Sequence, residues 1–209
     1  MLSALRAALT DPASFFPREA EEPSLRGPVV VVAAVALVGL ASSIPVFSAI
    51  LGTVPSEAQP FVFVGLAVGA VTGLVGPFVV WLVYALLFYG LSALFNASGE
   101  FRDLFTLVGW GFAPRVVASL VSAVVLFLLV PESGFSDPTG AQQFARDVAT
   151  STLGLVGRGV GLLMTLWSAW VWTHAVAAAR DVSKREAAIS VGIVVGVGFL
   201  LGLASTYAV

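Results

Sequence analysis

The sequence contains no cysteine, a single histidine, a single lysine and few charged residues of either sign. The absence of cysteine excludes disulfides, thiol catalysis and cysteine metal sites. One histidine cannot build a metal site alone, so no metal site is predicted, and no cofactor is expected. With 11% charged residues and a formal net charge of -2, the chain also lacks the basic patch of a nucleic-acid-binding protein. We therefore expect no nucleic-acid partner.

Apolar residues are what the chain has in excess. They make up 58% of the 209 residues, and the mean hydropathy is +1.00. A soluble domain of this length could not bury so much apolar side chain, so a lipid bilayer is the expected solvent and partner. Long charge-free runs form membrane-spanning helices. The predicted fold class is therefore all-α, a polytopic integral membrane helical bundle.

The charge-free runs predict five transmembrane helices in a membrane domain of residues 28–209. In the second run, residues 61–95 would be about 52 Å long as one helix, which exceeds a bilayer core of about 30 Å. This run fits either one long tilted or kinked helix, or two short helices that meet at Gly76-Pro77. The five predicted spans are Pro28 to Leu51, residues 61–95, Gly111 to Val130, Gly159 to Ala179 and Ala187 to Val209.

The distribution of basic residues favours five spans over six, because lysine and arginine prefer cytoplasmic loops. With five spans and a cytosolic N-terminus, eight basic residues lie inside and two outside, whereas dividing residues 61–95 leaves five on each side. We therefore expect a multi-pass protein in the cell membrane of a prokaryote, with residues 1–27 cytosolic and the C-terminus outside. The eight inner residues are Arg6, Arg18, Arg26, Arg102, Arg115, Arg180, Lys184 and Arg185, and the two outer ones are Arg146 and Arg158.

The cytosolic N-terminal segment, residues 1–27, has a helical pattern of its own. Leu2, Leu5 and Leu9 recur at helical spacing, and Asp11-Pro12 then places a helix cap before a first-turn proline. The segment fits an interfacial helix that lies on the membrane with its apolar face down. It fits equally well a short helix that packs on the rest of the protein.

Four basic residues are candidates for contact with lipid headgroups or with a partner: Arg115, Arg180, Lys184 and Arg185. Arg115 lies about 6 Å inside the predicted inner boundary, so its side chain can snorkel to the headgroups. We predict an anchoring role for it, with a lipid-phosphate or substrate contact as the alternative. The other three share the short loop from Arg180 to Glu186, which orients the protein and forms a candidate site for anionic lipid.

Glycines recur every fourth residue in the second run, at Gly65, Gly69 and Gly73. This spacing lines one helix face with hydrogen atoms and lets another backbone approach closely. We predict a helix-packing surface that serves either the fold or self-association. A ligand groove is the alternative.

The stretch from Gly99 to Pro114, GEFRDLFTLVGWGFAP, combines an amphipathic lead with an aromatic step into the third span. It is predicted to be a surface segment that feeds that span. The residues that carry a family resemblance here are Gly99, Phe101, Leu104, Gly109, Trp110 and Pro114. With the opening LTDPASFF, Leu9 to Phe16, they resemble the Yip1 domain family over most of the chain, in a prokaryotic-type member. The resemblance implies a non-enzymatic integral membrane protein that organises the membrane or recruits a partner, either a second copy or another protein.

A small transporter or channel is the alternative function. Transport sites inside a membrane need polar or ionisable side chains, and the predicted spans contain no Asp or Glu, only two arginines near their edges and His174. His174 shares a helix face with Trp167 and Trp170 and is predicted to be a hydrogen-bonded packing residue. No catalytic residue is predicted, so we do not expect an enzyme.

Overall fold

The computed structural model describes the backbone of residues 1–131, 135 and 140–207, and the side chains of these residues except 141 and 202–207. Over these ranges every regular element is a helix, which confirms the predicted all-α class. In chain order the elements are α1 Leu2–Thr10, α2 Pro12–Glu19, α3 Arg26–Leu51, α4 Gln59–Ser92, a 3₁₀ turn Ala93–Phe95, α5 Phe101–Trp110, α6 Ala113–Leu129, α7 Gly140–Thr150, α8 Thr152–Arg180 and α9 Lys184–Tyr207.

Four stretches in the described part of the chain are long and apolar enough to cross a membrane: Arg26–Leu51, Gln59–Phe95, Phe101–Leu129 and Thr152–Arg180. The protein is therefore a multi-pass membrane protein. The predicted number of five spans is not confirmed, because α9 is not among these four. It begins with three charged residues and ends among residues whose side chains are not described.

Residues 61–95 form one continuous helical stretch rather than two short helices. Helix α4 runs through Pro77 without a break and ends at Ser92, where the 3₁₀ turn takes over. A proline inside a helix removes one hydrogen bond but does not have to end the helix when neighbouring groups satisfy the freed carbonyl. The long-helix alternative is the correct one.

Helix α5 is not the surface segment that its amphipathic pattern predicted. Its residues Leu104 and Thr106 to Trp110 are buried, Arg102 is exposed, and Phe101, Asp103 and Phe105 are half-buried. The prediction was wrong because an amphipathic stripe shows only that one face avoids water. It does not show whether lipid or protein covers that face.

Helix α8 begins at Thr152, seven residues before the predicted span Gly159 to Ala179, so Arg158 lies within the helix. The start is fixed by Ser151, whose hydroxyl accepts a hydrogen bond of 3.0 Å from the amide of Gly154. Glycine is required here, since a β-carbon at Gly154 would lie 1.7 Å from the carbonyl oxygen of Val148. Helices α7 and α8 are thus joined by a close backbone contact.

The chain divides by its internal contacts into two units. Unit 1 comprises Met1–Val32, Phe78–Pro114 and Thr165–Val209, and unit 2 comprises Ala33–Pro77 and Arg115–Met164. The large side chains that are completely buried all belong to unit 1: Trp81, Trp172, Phe16, Phe88, Phe112, Leu104, Leu107, Val32, Val108, Val171, Val176 and Val191. Unit 1 therefore holds the main core of the described residues.

Candidate functional site

Trp81 of α4 holds the middle of α5. Its ring stacks on Phe105, with centroids 4.1 Å apart and planes inclined by 9°. Its Nε1 donates a hydrogen bond of 2.8 Å to the carbonyl oxygen of Phe105. A buried indole N–H needs an acceptor, and Trp81 is only 2% exposed. Stacking and hydrogen bonding together fix α4 against α5.

Trp172 of α8 holds the C-terminal end of α5. Its Nε1 donates a hydrogen bond of 2.9 Å to the carbonyl oxygen of Val108. Val108 lies in the last turn of α5, where helix carbonyls lack their usual partners, and this carbonyl also accepts from the amide of Gly111 at 3.1 Å. The indole ring contacts the rings of Phe112 at 5.3 Å and Phe88 at 5.7 Å. The break between α5 and α6 is therefore packed and hydrogen-bonded from α8.

Two glycines make these close contacts sterically possible. A β-carbon on Gly111 would lie 2.2 Å from the Trp172 ring. A β-carbon on Gly109 would lie 2.6 Å from Cβ of Pro28 and 2.7 Å from Cζ2 of Trp81. All three distances are far below van der Waals contact. The glycines that flank Trp110 in the sequence are thus required by the core and not by the backbone conformation.

Arg180, at the end of α8, is buried with only 3% exposure. Its Nε donates to the hydroxyl of Ser92 at 3.1 Å, its Nη1 donates to the carbonyl oxygen of Gly99, and its Nη2 donates to that of Ala97 at 3.4 Å. The guanidinium carbon also lies 4.1 Å from the centroid of the Tyr89 ring, a cation–π contact. Arg180 is therefore engaged by the protein's own loop, unlike the other basic residues of its segment.

The loops on both sides of Arg180 are fastened together through their backbones. The amide of Ser98 donates a hydrogen bond of 3.0 Å to the carbonyl oxygen of Arg180. Gly99 has a φ of +89°, and a β-carbon there would lie 2.3 Å from the carbonyl oxygen of Ala179. Only glycine combines this backbone conformation with so close an approach. The α4–α5 loop and the α8–α9 loop thus form one joint, which we call the Arg180 joint (residues 96–100 and 179–183).

The N-terminal segment is packed on unit 1. The Nε1 of Trp167 donates a hydrogen bond of 3.1 Å to the carbonyl oxygen of Leu9, and the Phe15 ring meets Trp110 edge to face at 5.4 Å. Asp11 caps α2 as predicted, accepting from the amide of Ser14 at 3.4 Å. Within unit 1 the segment therefore packs on the rest of the protein, which was one of the two alternatives. An additional contact with the membrane surface stays a prediction.

Lys184 and Arg185 are exposed in the first turn of α9. This helix starts with a reciprocal capping box. The hydroxyl of Ser183 accepts from the amide of Glu186 at 3.3 Å, and a carboxylate oxygen of Glu186 accepts from the amide of Ser183 at 2.9 Å. The two basic side chains therefore project from a fixed helix start directly after the Arg180 joint.

Arg115 lies in the first turn of α6 and is half-buried. It belongs to unit 2, whereas Arg180, Lys184 and Arg185 belong to unit 1. Arg115 is therefore considered separately from the other three candidates. Its anchoring role stays a prediction.

The three glycines predicted to form a packing surface are exposed on α4. Nothing lies within 4 Å of a β-carbon built on Gly65 or Gly73, and the nearest atom to one on Gly69 is Cζ of Phe47, at 4.0 Å. Within the described residues, no helix of the same chain uses this face for close packing. Self-association through it stays a prediction.

His174 makes local contacts on α8. Its Nδ1 lies 2.9 Å from the carbonyl oxygen of Trp170, and its ring meets the Trp170 ring edge to face at 5.3 Å. In the described part of the chain, no three His, Asp or Glu side chains are grouped as metal ligands would be. The chemical groups brought together in unit 1 are aromatic rings, backbone carbonyls and one buried guanidinium, and this arrangement positions helices.

The residues that build this core were only partly visible in the sequence. Gly109, Trp110 and Pro114 belong to the motif that stands out in the sequence, but no sequence pattern there assigns Trp81 or Trp172 to this core. The available signal was the pair of glycines around Trp110, which indicates close packing. It did not indicate which distant ring fills the space.

Comparison with known proteins identifies the family of this chain. The model of the Yip1 domain matches residues 6–206, nearly the whole chain. The chain belongs to the Yip1 domain family. A relative from the archaeon Methanocaldococcus jannaschii, described as an uncharacterized protein, is 25% identical over 130 residues, which cover 62% of this chain and 92% of the relative. No solved structure matches the chain. The Yip1 resemblance predicted from the Gly99–Pro114 stretch is confirmed.

Proposed function

We propose that this Yip1 domain protein is a non-enzymatic, five-span protein of a prokaryotic cell membrane that organises lipid or recruits a partner at its cytosolic face. The observation that carries the proposal is the contrast at the Arg180 joint. One basic side chain is fully engaged inside the protein, whereas its neighbours Lys184 and Arg185 are exposed on a capped helix start. Exposed basic groups next to a membrane attract anionic headgroups.

The fifth span in this proposal is α9. Its 24 residues would extend about 36 Å, enough to cross a bilayer core of about 30 Å. All its charges lie in its first three residues, and Ile189, Ile193 and Val197 are exposed along it. Exposed aliphatic residues over a charge-free helix favour contact with lipid. With α9 as a span, the basic-residue distribution gives a cytosolic N-terminus and an outer C-terminus.

The proposed headgroup contact can be tested by lipid retention. The full chain is purified in mild detergent from a membrane rich in phosphatidylglycerol, and bound phospholipid is quantified by mass spectrometry. We expect the double variant Lys184→Ala, Arg185→Ala to retain less anionic lipid than wild type. Arg146→Ala, which removes an exposed arginine from α7, is the matched control and should retain the wild-type amount. Equal retention by the double variant would contradict the headgroup role and leave partner recruitment as the remaining part of the proposal.

A further inference from the structure

The charged N-terminal segment meets α4 at the level of Trp81. Gly109 is wedged between Pro28 and Trp81, since its β-carbon would clash with both. Arg26 lies two residues before Pro28, and the residues before Arg26 include exposed Arg18, Glu21 and Glu22. Such a run of charges cannot lie in hydrocarbon. On the α3 side of unit 1, the polar boundary therefore stands near the level of Trp81.

A second polar boundary meets α4 further along, at the level of Ser92. The hydrogen bond from Arg180 to Ser92 places the Arg180 joint beside this residue. The joint contains the exposed charges Glu100 and Asp181, and exposed Arg102 follows it closely in the sequence. Eleven residues separate Trp81 from Ser92 along a continuous helix, a distance of about 16 Å at 1.5 Å per residue. If α4 were tilted by about 20°, the average for membrane helices, the two levels would still be separated by most of this distance along the membrane normal.

Between these two levels α4 presents an apolar face to its surroundings. Leu82, Val83, Leu86 and Leu87 are 42%, 43%, 51% and 47% exposed. There is no charged residue anywhere from Ala58 to Gly99. The exposed aliphatic stripe also continues without interruption from earlier in the same helix, where Val79 and Val80 are 51% and 37% exposed. The exposed apolar surface of α4 therefore extends past Trp81.

We propose that acyl chains of the inner leaflet cover α4 down to the Arg180 joint, while the headgroups on the α3 side stand near Trp81. The protein then holds the inner lipid–water boundary at two heights about 16 Å apart along α4. A bilayer adapts to such a hydrophobic mismatch by local thinning or thickening. The inference rests on the proposed cytosolic placement of the N-terminal segment and the Arg180 joint, and it names a physical means by which the protein organises lipid.

The absence of cysteine makes a direct test possible, because one introduced cysteine gives one spin label. The full-length variants Leu86→Cys and Glu22→Cys are labelled with a nitroxide in phosphatidylethanolamine–phosphatidylglycerol vesicles. Collision with oxygen, which concentrates in lipid, is compared with collision with a water-soluble nickel chelate. We expect oxygen to dominate several-fold at position 86 and nickel to dominate at position 22. Val83→Cys is a second reporter of the same face in case Leu86→Cys does not fold.

Two results would overturn the inference. Nickel access at both 83 and 86 would place this face in water, and protection from both reagents would show that a second copy or a partner covers it. A separate experiment tests the proposed topology. The Lys184→Cys variant is exposed to an impermeant thiol reagent in sealed cells. Labelling from outside would contradict the cytosolic placement, whatever the label at position 86 reports.

Discussion

Trp172 and Val108, 64 residues apart in the sequence, are joined by a buried hydrogen bond from the indole nitrogen to the backbone carbonyl. The bond places the C-terminal part of α8 against the end of α5, where the Val108 carbonyl also accepts a hydrogen bond from the amide of Gly111. Together with the bond from Trp81 to Phe105, it holds α5 between α4 and α8 within unit 1. The Gly109 to Gly111 segment is the point on which three helices of this unit converge.

Replacing Trp172 by Phe should destabilise the protein more than replacing Trp170 by Phe. The first change removes one buried hydrogen bond while the Val108 carbonyl keeps the bond from the Gly111 amide, a cost of about 0.5–1.5 kcal/mol. Trp170 is 44% exposed and is a matched control in the same helix. Thermal unfolding in detergent, followed by circular dichroism, measures the difference. Equal melting temperatures would show that the indole bond contributes nothing to the fold.

Alanine at Gly109 or Gly111 should be destabilising, whereas alanine at Gly65 or Gly73 should be tolerated. The first two β-carbons would overlap Pro28, Trp81 or Trp172, and overpacking of a core typically costs about 1–3 kcal/mol. The other two would enter open space, and alanine has the higher helix propensity. The same unfolding measurement applies to all four variants. A stable Gly111→Ala protein would contradict the tight contact with Trp172.

The self-association predicted for the exposed glycine face requires a different measurement. If Gly65, Gly69 and Gly73 pack against a second copy, Gly69→Ile should lower the dimer fraction in detergent without changing the melting temperature. Cross-linking or light scattering measures that fraction. A monomeric wild-type protein would contradict the self-association prediction, and the face would then be one that contacts lipid.

These glycines and Trp172 show what the sequence could and could not predict. Charge-free runs predicted α3, a helical stretch over residues 61–95 and most of α8 because a membrane span is a local property of about 20 residues. They did not decide between one long helix and two short ones over residues 61–95. Glycine spacing indicated close packing at Gly65, Gly69 and Gly73, yet the glycines that pack closely against neighbouring helices include Gly109 and Gly111. The neighbours come from α3, α4 and α8, and spacing within one helix contains no information about them.

Arg180 illustrates the same limit for charge. In the sequence it is one of three basic residues in a short polar loop, and a loop of that kind is normally solvated. Its burial depends on carbonyls of Ala97 and Gly99, more than 80 residues earlier, which the α4–α5 loop exposes because its backbone bends at Gly99. Lys184 and Arg185 are exposed instead. The tertiary structure therefore gives different environments to three basic side chains that the sequence alone does not distinguish.

Arg180→Leu should prevent stable folding, and Arg185→Leu should not. Hydrogen bonds to a charged group each contribute about 1.5–3 kcal/mol, and Arg180 makes contacts with Ser92, Ala97 and Gly99. Arg185 is exposed, and its replacement by leucine removes the same charge from the same segment. Yield of monodisperse protein and its melting temperature are the measurements. If both variants behaved like wild type, the Arg180 joint would not be what holds the two loops together.

The cap of α2 should weaken in acid. The Ser14 hydroxyl and amide, with additional attraction from Arg18 and His174, hold the pKa of the Asp11 carboxyl below its ordinary value of 3.8. Because the folded form binds its proton less readily than the unfolded form, the contribution of Asp11 to stability is complete above pH 3.8. It is lost as the pH falls from there through the folded pKa.

Carbon-13 NMR of the labelled Asp11 carboxyl in micelles measures this pKa directly. We expect a value below 3.8 in wild type and one closer to 3.8 in Ser14→Ala. Ser3→Ala, an exposed serine in α1, is the matched control and should leave the titration unchanged. An identical titration in the Ser14 variant would show that the cap does not perturb the carboxyl.

The proposed topology has an odd number of membrane crossings, with α9 as the last span and the Arg180 joint in the cytosol. Paired reporter fusions after Glu186 and after Val209 test it most directly, using alkaline phosphatase, which is active only outside, and a fluorescent protein that matures only inside. We expect fluorescence without phosphatase activity at Glu186 and phosphatase activity without fluorescence at Val209. Fluorescence at both positions would limit the protein to four spans and contradict the account.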